Sequence, residues 1–154
     1  MRAARIVALV IILSSVAQIT AQDKPKKPAL DLGPLLAKTS LTHKEVEKGT
    51  WEVQYRGKQL ESITVRVVPA EEGVFFFVRL YNRDALSLSR NLLLKILEMN
   101  SEFDYAKLAL NEDVLYVRID SRATSITPAD LEHLAEQAAL VADEATKTIR
   151  DFLP

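Results

Sequence analysis

The chain has 154 residues, 48% hydrophobic and 27% charged, with four Gly and no Cys, which excludes a low-complexity chain and any disulfide-stapled fold. Its net charge of −1 hides a segregation: residues 29–154 hold 15 basic and 20 acidic side chains, a net of −5. That balance lacks the basic footprint with which nucleic-acid binders neutralise phosphates, so no nucleic-acid partner is expected.

The first 22 residues, MRAARIVALVIILSSVAQITAQ, read as a secretory leader. Arg2 and Arg5 form a basic start, Ile6 to Leu13 with Val16 and Ala17 form the apolar stretch, and small residues follow. The apolar run is about twelve residues, short of the ~20 that a membrane-spanning helix needs. Residues 1–21 are therefore expected to be a signal peptide, cleaved after Ala17 or Ala21. The expected location is periplasmic or secreted, in a bacterium, with no stable membrane insertion afterwards. Residues 22–34, with Lys24, Lys26, Lys27, Pro28, Gly33 and Pro34, read as a flexible spacer. The folded domain is placed at 35–154.

Leu35 to Gly49 is read as holding a short first helix, with apolar positions Leu35, Leu36, Leu41 and Val46 and Gly49 suited to a terminating turn. Three strands follow. Trp51, Val53 and Tyr55 alternate with polar residues, as do Ile63, Val65 and Val67, while Val74–Leu80 is apolar on both faces and suits an interior strand. Gly57-Lys58 and Glu71-Glu72-Gly73 suit hairpin connections.

A second helix starts after Ser87 or Ser89 and contains NLLLKILEMN. At 100° per residue, Leu92, Ile96 and Met99 cluster, and Leu93, Leu97 and Leu94 extend the apolar arc to roughly 220°, where packing on one sheet needs about 100°. Two surfaces must cover this helix. One is the sheet; the other is either the C-terminal helix or another chain through a twofold contact.

Two further strands, in EFDYAKLAL and DVLYVRID, join across Asn111-Glu112. The last helix starts at Thr127-Pro128, with Asp130 at its positive end, and runs to about Phe152. Its apolar face is Leu131, Leu134, Ala138, Val141, Ala145, Ile149 and Phe152; its other face is acidic. Six alanines from Ala129 to Ala145 permit close approach to a sheet.

This order resembles the YbjN-type family of the type III secretion chaperone-like fold, over roughly residues 35–152. The likeness rests on Asn100 ending the middle helix, Phe103, Ala106-Lys107, and a late strand feeding the Thr-Pro-capped helix. The resemblance implies a non-enzymatic protein-binding module and brings no catalytic or ligand residues. The namesake chaperones act in the cytoplasm, whereas the leader directs this chain outward.

Chemistry is hard to find. His133 shares a helical face with Asp130 and Glu136, but His43 is the one other histidine and a zinc site normally assembles three or four ligands. There is no Cys nucleophile, no Gly-x-Ser-x-Gly elbow and no clustered Gly to cradle phosphate. Asp143-Glu144 reads as helix-surface charge. Trp51 and Phe75–Phe77 read mainly as core, with Phe76 or its neighbours forming an interaction patch if the second sheet face is uncovered.

The expected fold is α+β, a five-stranded antiparallel sheet in the order α-βββ-α-ββ-α with helices on one face. The expected role is an exported, non-enzymatic interaction module, chaperone-like or envelope-associated, with no cofactor or metal. Its partner would be a protein, including a second copy, met through Leu88, Leu92, Leu94, Met99 and Phe76. The alternative is a small-ligand carrier with a cavity between sheet and helices.

Overall fold

A computed structural model describes residues 30–122 and 126–153. The leader, its cleavage sites and most of the spacer lie outside the described residues. The elements in chain order are α1 (Gly33–Leu36), β1 (His43–Glu47), β2 (Thr50–Tyr55), β3 (Ile63–Ala70), β4 (Gly73–Asn82), α2 (Arg90–Glu102), β5 (Lys107–Asn111), β6 (Val114–Ser121) and α3 (Pro128–Ile149).

The fold is α+β with an antiparallel sheet and helices on one face, and the sheet has six strands, ordered β1-β2-β3-β4-β6-β5. The extra strand corrects the reading of Leu35–Gly49, which gave the segment a short helix and no strand. A single turn, α1, is followed by β1, and Gly49 (φ +78°) supplies the left-handed residue of the β1–β2 hairpin. The same conformational freedom ends helices and turns hairpins. The spacer also ends earlier than expected: Leu32 and Leu36 are fully buried, and Gly33-Pro34 start α1 over the Trp51 ring.

Alternation sets the inner face. Val53, Ile63, Val65, Val67, Val74, Phe76, Val78, Leu115, Val117 and Ile119 are buried under α3. α3 meets them with Leu131, Ala135, Ala138, Ala139, Ala142, Ala145 and Ile149, so its small residues do bring it close to the sheet. Thr127 and Asp130 form a reciprocal capping box at its start. After α3 a short turn, Arg150–Phe152, returns to the segment before α2, where Ser87 N–H donates to Phe152 O at 3.3 Å.

Among the described residues, no helix is long and apolar enough to cross a membrane.

Candidate functional site

α2 begins at Ser89, whose Oγ accepts from Leu92 N–H at 3.1 Å, and stops where Phe103 turns extended. Its C-terminal end is fixed to β5 by two side chains. Asn100 donates through Nδ2 to Leu108 O at 3.0 Å and accepts from Leu108 N–H at 2.6 Å. Both backbone groups of Leu108 thus point away from β6, and Asn100 occupies them as another strand would, blunting the sheet edge. Lys107 Nζ meanwhile donates to Asn100 O at 2.8 Å and Phe103 O at 2.7 Å, placing a cation at the negative helix end.

So anchored, α2 presents only its Leu92–Met99 edge to the core; both are buried, and Ile96 is partly so. The next sector faces solvent: Leu93 is 48% exposed, Leu94 46% and Leu97 65%, with Leu88 at 38% just before the helix. The C-terminal helix therefore does not cover the second half of the apolar arc. Of the five residues assigned to an interface from sequence, Leu88 and Leu94 lie on this surface. Leu92, Met99 and Phe76 are core, because they sit on the inward edge of α2 and the inward face of β4. Sequence reasoning left out Leu93 and Leu97, although their 100° and 140° positions on the wheel sit furthest from the buried edge together with Leu94.

The outer sheet face is also uncovered, and there Phe75 and Phe77, rather than Phe76, are partly exposed. One cross-strand row runs over all six strands: Lys44, Glu52, Arg66, Phe77, Arg118, Lys107. Phe77 packs edge-on against Phe75 (6.0 Å) and Tyr116 (5.8 Å), and the Arg118 guanidinium lies over Phe75 at 4.7 Å. Arg118 pairs with Asp120, which holds its guanidinium even more firmly protonated, and Arg66 pairs with Glu52 at 3.1 Å. A bulge in β4 at Leu80 shifts the alternation so that Arg79 (opposite Tyr116) and Asn82 (opposite Val114) share this face and hydrogen-bond. A trough of about 630 Å3 lies here, lined by Glu52, Arg66, Phe77, Arg79 and Tyr116 among others.

Several other titratable groups are tied to structure. His133 is exposed and meets the Tyr105 ring edge-on at 6.0 Å; His43 Nδ1 lies 2.8 Å from Leu41 O, beside Trp51. Among the described residues, no group of three or more His, Cys, Asp or Glu side chains converges as a metal site. Asp143, read from sequence as surface charge, accepts backbone N–H bonds from Lys58, Gln59 and Leu60 at 2.8, 2.8 and 2.9 Å. Burial works against its charge, but those three donors hold its carboxyl below the usual range. Glu132 likewise is lowered by the backbone and hydroxyl of Ser40. The space between sheet and α3, where a carrier would hold its ligand, is filled by the core side chains. The nearest hollow, about 370 Å3, opens to solvent beside the β2–β3 loop.

No protein-family model matches the chain, and no curated protein does. A solved structure, the heterodimeric complex ExoU-SpcU from the type III secretion system of Pseudomonas aeruginosa, is similar over 65% of this chain and 82% of that one. The identity is 21% and the TM-score 0.46. Nothing about function follows from a likeness at that level.

Proposed function

We propose that this chain is a non-enzymatic protein-interaction module, chaperone-like and of the YbjN type, that works after export in the periplasm or outside the cell. The observation that carries the reading is the solvent-facing leucine sector of α2. Three leucines on one helix, anchored at both ends and left open, form the kind of apolar patch that marks an interaction site. In this reading the partner is a protein, and the first partner to expect is a second copy meeting the same sector across a twofold axis.

The expected strength is modest. Covering a half-exposed leucine contributes about 1 kcal/mol, so six across a twofold contact contribute about 6 kcal/mol. Association itself costs about 4–15 kcal/mol. The leucines alone thus leave at most about 2 kcal/mol, weaker than millimolar, so a dimer has to draw on further contacts around the sector and is expected to depend on concentration. Light scattering after size exclusion, across a dilution series of the chain without residues 1–21, tests this together with crosslinked capture from the cell envelope. A monomer at every concentration and no protein captured through α2 would discard the proposal.

A further inference from the structure

We propose that the outer sheet face is a second docking surface, and that it takes an extended acidic peptide segment carrying an aliphatic or aromatic residue beside its carboxylate. This rests on the reading of the chain as a protein-binding module and adds the chemistry of what is bound.

The shape and the charge of the face argue together. Phe75, Phe77 and Tyr116 make a continuous edge-to-face cluster on a surface that no element of the described residues covers. Such rings offer apolar area at low entropic cost. Around them stand Lys44, Arg66, Arg79, Lys107 and Arg118 against Glu47, Glu52 and Asp120, a basic face on a domain that is net acidic. An acidic ligand is therefore attracted here and repelled by the acidic outer side of α3.

The number of unengaged cations selects the class of ligand. Arg66 is matched by Glu52 and Arg118 by Asp120, Lys107 serves the end of α2, and Lys44, without an ion-pair partner among the described residues, stands on the edge strand β1, three strands from Phe77. Arg79 has only the neutral Asn82 amide oxygen, and among the described residues no carboxylate lies within ion-pair distance of it. It stands beside Tyr116 on the trough wall. One such guanidinium suits a single bidentate carboxylate. A polyphosphate backbone is held through roughly six to ten neutralising contacts, which this face does not supply. The fit is thus a carboxylate on Arg79 with the neighbouring side chain on Phe77 and Tyr116.

The test uses protein purified after expression of the full chain, in the processed form the cell yields. Fluorescence anisotropy is measured with a short peptide alternating Glu with Leu or Phe, the same peptide with Lys for Glu, and a thymidine oligonucleotide. The acidic peptide is expected to bind, to weaken at least about tenfold on Arg79→Glu and on Phe77→Ser, and to weaken with added salt. Arg79 is exposed, so its variant should melt as the parent does. Binding should persist in Leu97→Glu, which addresses α2 instead. No binding of the acidic peptide, equal binding of the basic one, preference for the oligonucleotide, or indifference to Arg79→Glu would each overturn the assignment. Partner capture through α2 would survive that failure, so the two readings fall separately.

Discussion

Gly57 lies against the carboxylate of Asp143 with no room for a methyl group between them. A Cβ at position 57 would overlap Asp143 Oδ1 and come within 2.9 Å of Ile63 Cδ1. The glycine is there for close approach, which lets one α3 carboxylate gather three N–H groups of the β2–β3 loop. Gly57→Ala should cost about 1–3 kcal/mol, the usual range for overpacking. Asp143→Ala should cost about 1–2 kcal/mol, because partly solvated donors recover water. Combined, the two should cost less than their sum, since the second removes the atom with which the first collides. Urea melts of the four proteins check this; strict additivity would show that the two residues are not coupled.

The same carboxylate gives a pH dependence. Its folded value is depressed below the unfolded one, so its stabilisation is complete above the unfolded carboxylate value of about 3.9 and is lost as pH falls through the lower, folded value. Asp130, lowered by its bonds with Thr127, and Glu132 shift in the same direction. Stability should therefore fall on acidification below about pH 4. Asp143→Asn should be less stable near neutrality and should show a shallower acid limb. An unchanged limb would place the acid sensitivity elsewhere.

Tyr55 shifts oppositely. Burial, with Glu136 and Glu132 nearby, raises its hydroxyl from 10.0 to about 12, and its buried oxygen has no hydrogen-bond partner among the described residues. The neutral form is thus favoured by folding, a contribution present below the unfolded value and lost as pH rises through about 12. Absorbance titration should show one of the four tyrosines ionising last, and Tyr55→Phe should remove that late step. The same substitution should be neutral or stabilising by up to about 1 kcal/mol, since it deletes an unpaired polar atom. A marked loss of stability would mean that the hydroxyl is bonded in solution.

Much of this was legible before any coordinates, and the exceptions have physical causes. The inner faces of β2 and β3 and the interior position of β4 follow from period-two alternation and from the apolar run around Phe76. β1 was missed because HKEVE holds one apolar residue. As an edge strand it is solvated and charged, which protects it from mispairing and also erases the alternation that would announce it. The Asp143 contacts reach a loop distant in sequence, so nothing local signals them. The breadth of the α2 apolar arc was readable, but which third of it met the core was not. That is set by Asn100 and Lys107, which fix the rotation of the helix against β5.

Asn100 therefore offers its own prediction. Replacing it with Ala strips both partners from the outward backbone groups of Leu108, at a cost of about 1–3 kcal/mol if they stay dry. It also opens the β5 edge to strand pairing, so the variant should aggregate more readily on mild heating than its melting point alone explains. Asn100→Asp keeps the acceptor for Leu108 N–H and loses the donor to its carbonyl, and should fall between the two. If light scattering on heating does not separate Asn100→Ala from an equally destabilised core variant, the side chain is not guarding the edge.

Burial on opposite sides of α2 makes the last contrast. Leu92 is fully buried and Leu97 is the most exposed of the helix's leucines. Leu92→Ala should cost about 2–5 kcal/mol through the cavity it leaves. Leu97→Glu removes nothing from the core and should change monomer stability by no more than about 0.5 kcal/mol. Its effect should appear in association instead. Two glutamates brought together across a twofold contact repel each other, so the mass at high concentration should drop to that of the monomer. Leu94→Glu should behave in the same way, being on the same sector, whereas an exposed polar site such as Glu98→Lys should not. If Leu97→Glu lowers the melting point as Leu92→Ala does, then the sector is covered within the protomer and the interaction surface must be sought elsewhere. If stability and mass both stay unchanged, the leucines face solvent without a second copy, and capture from the cell envelope decides whether a different protein covers them.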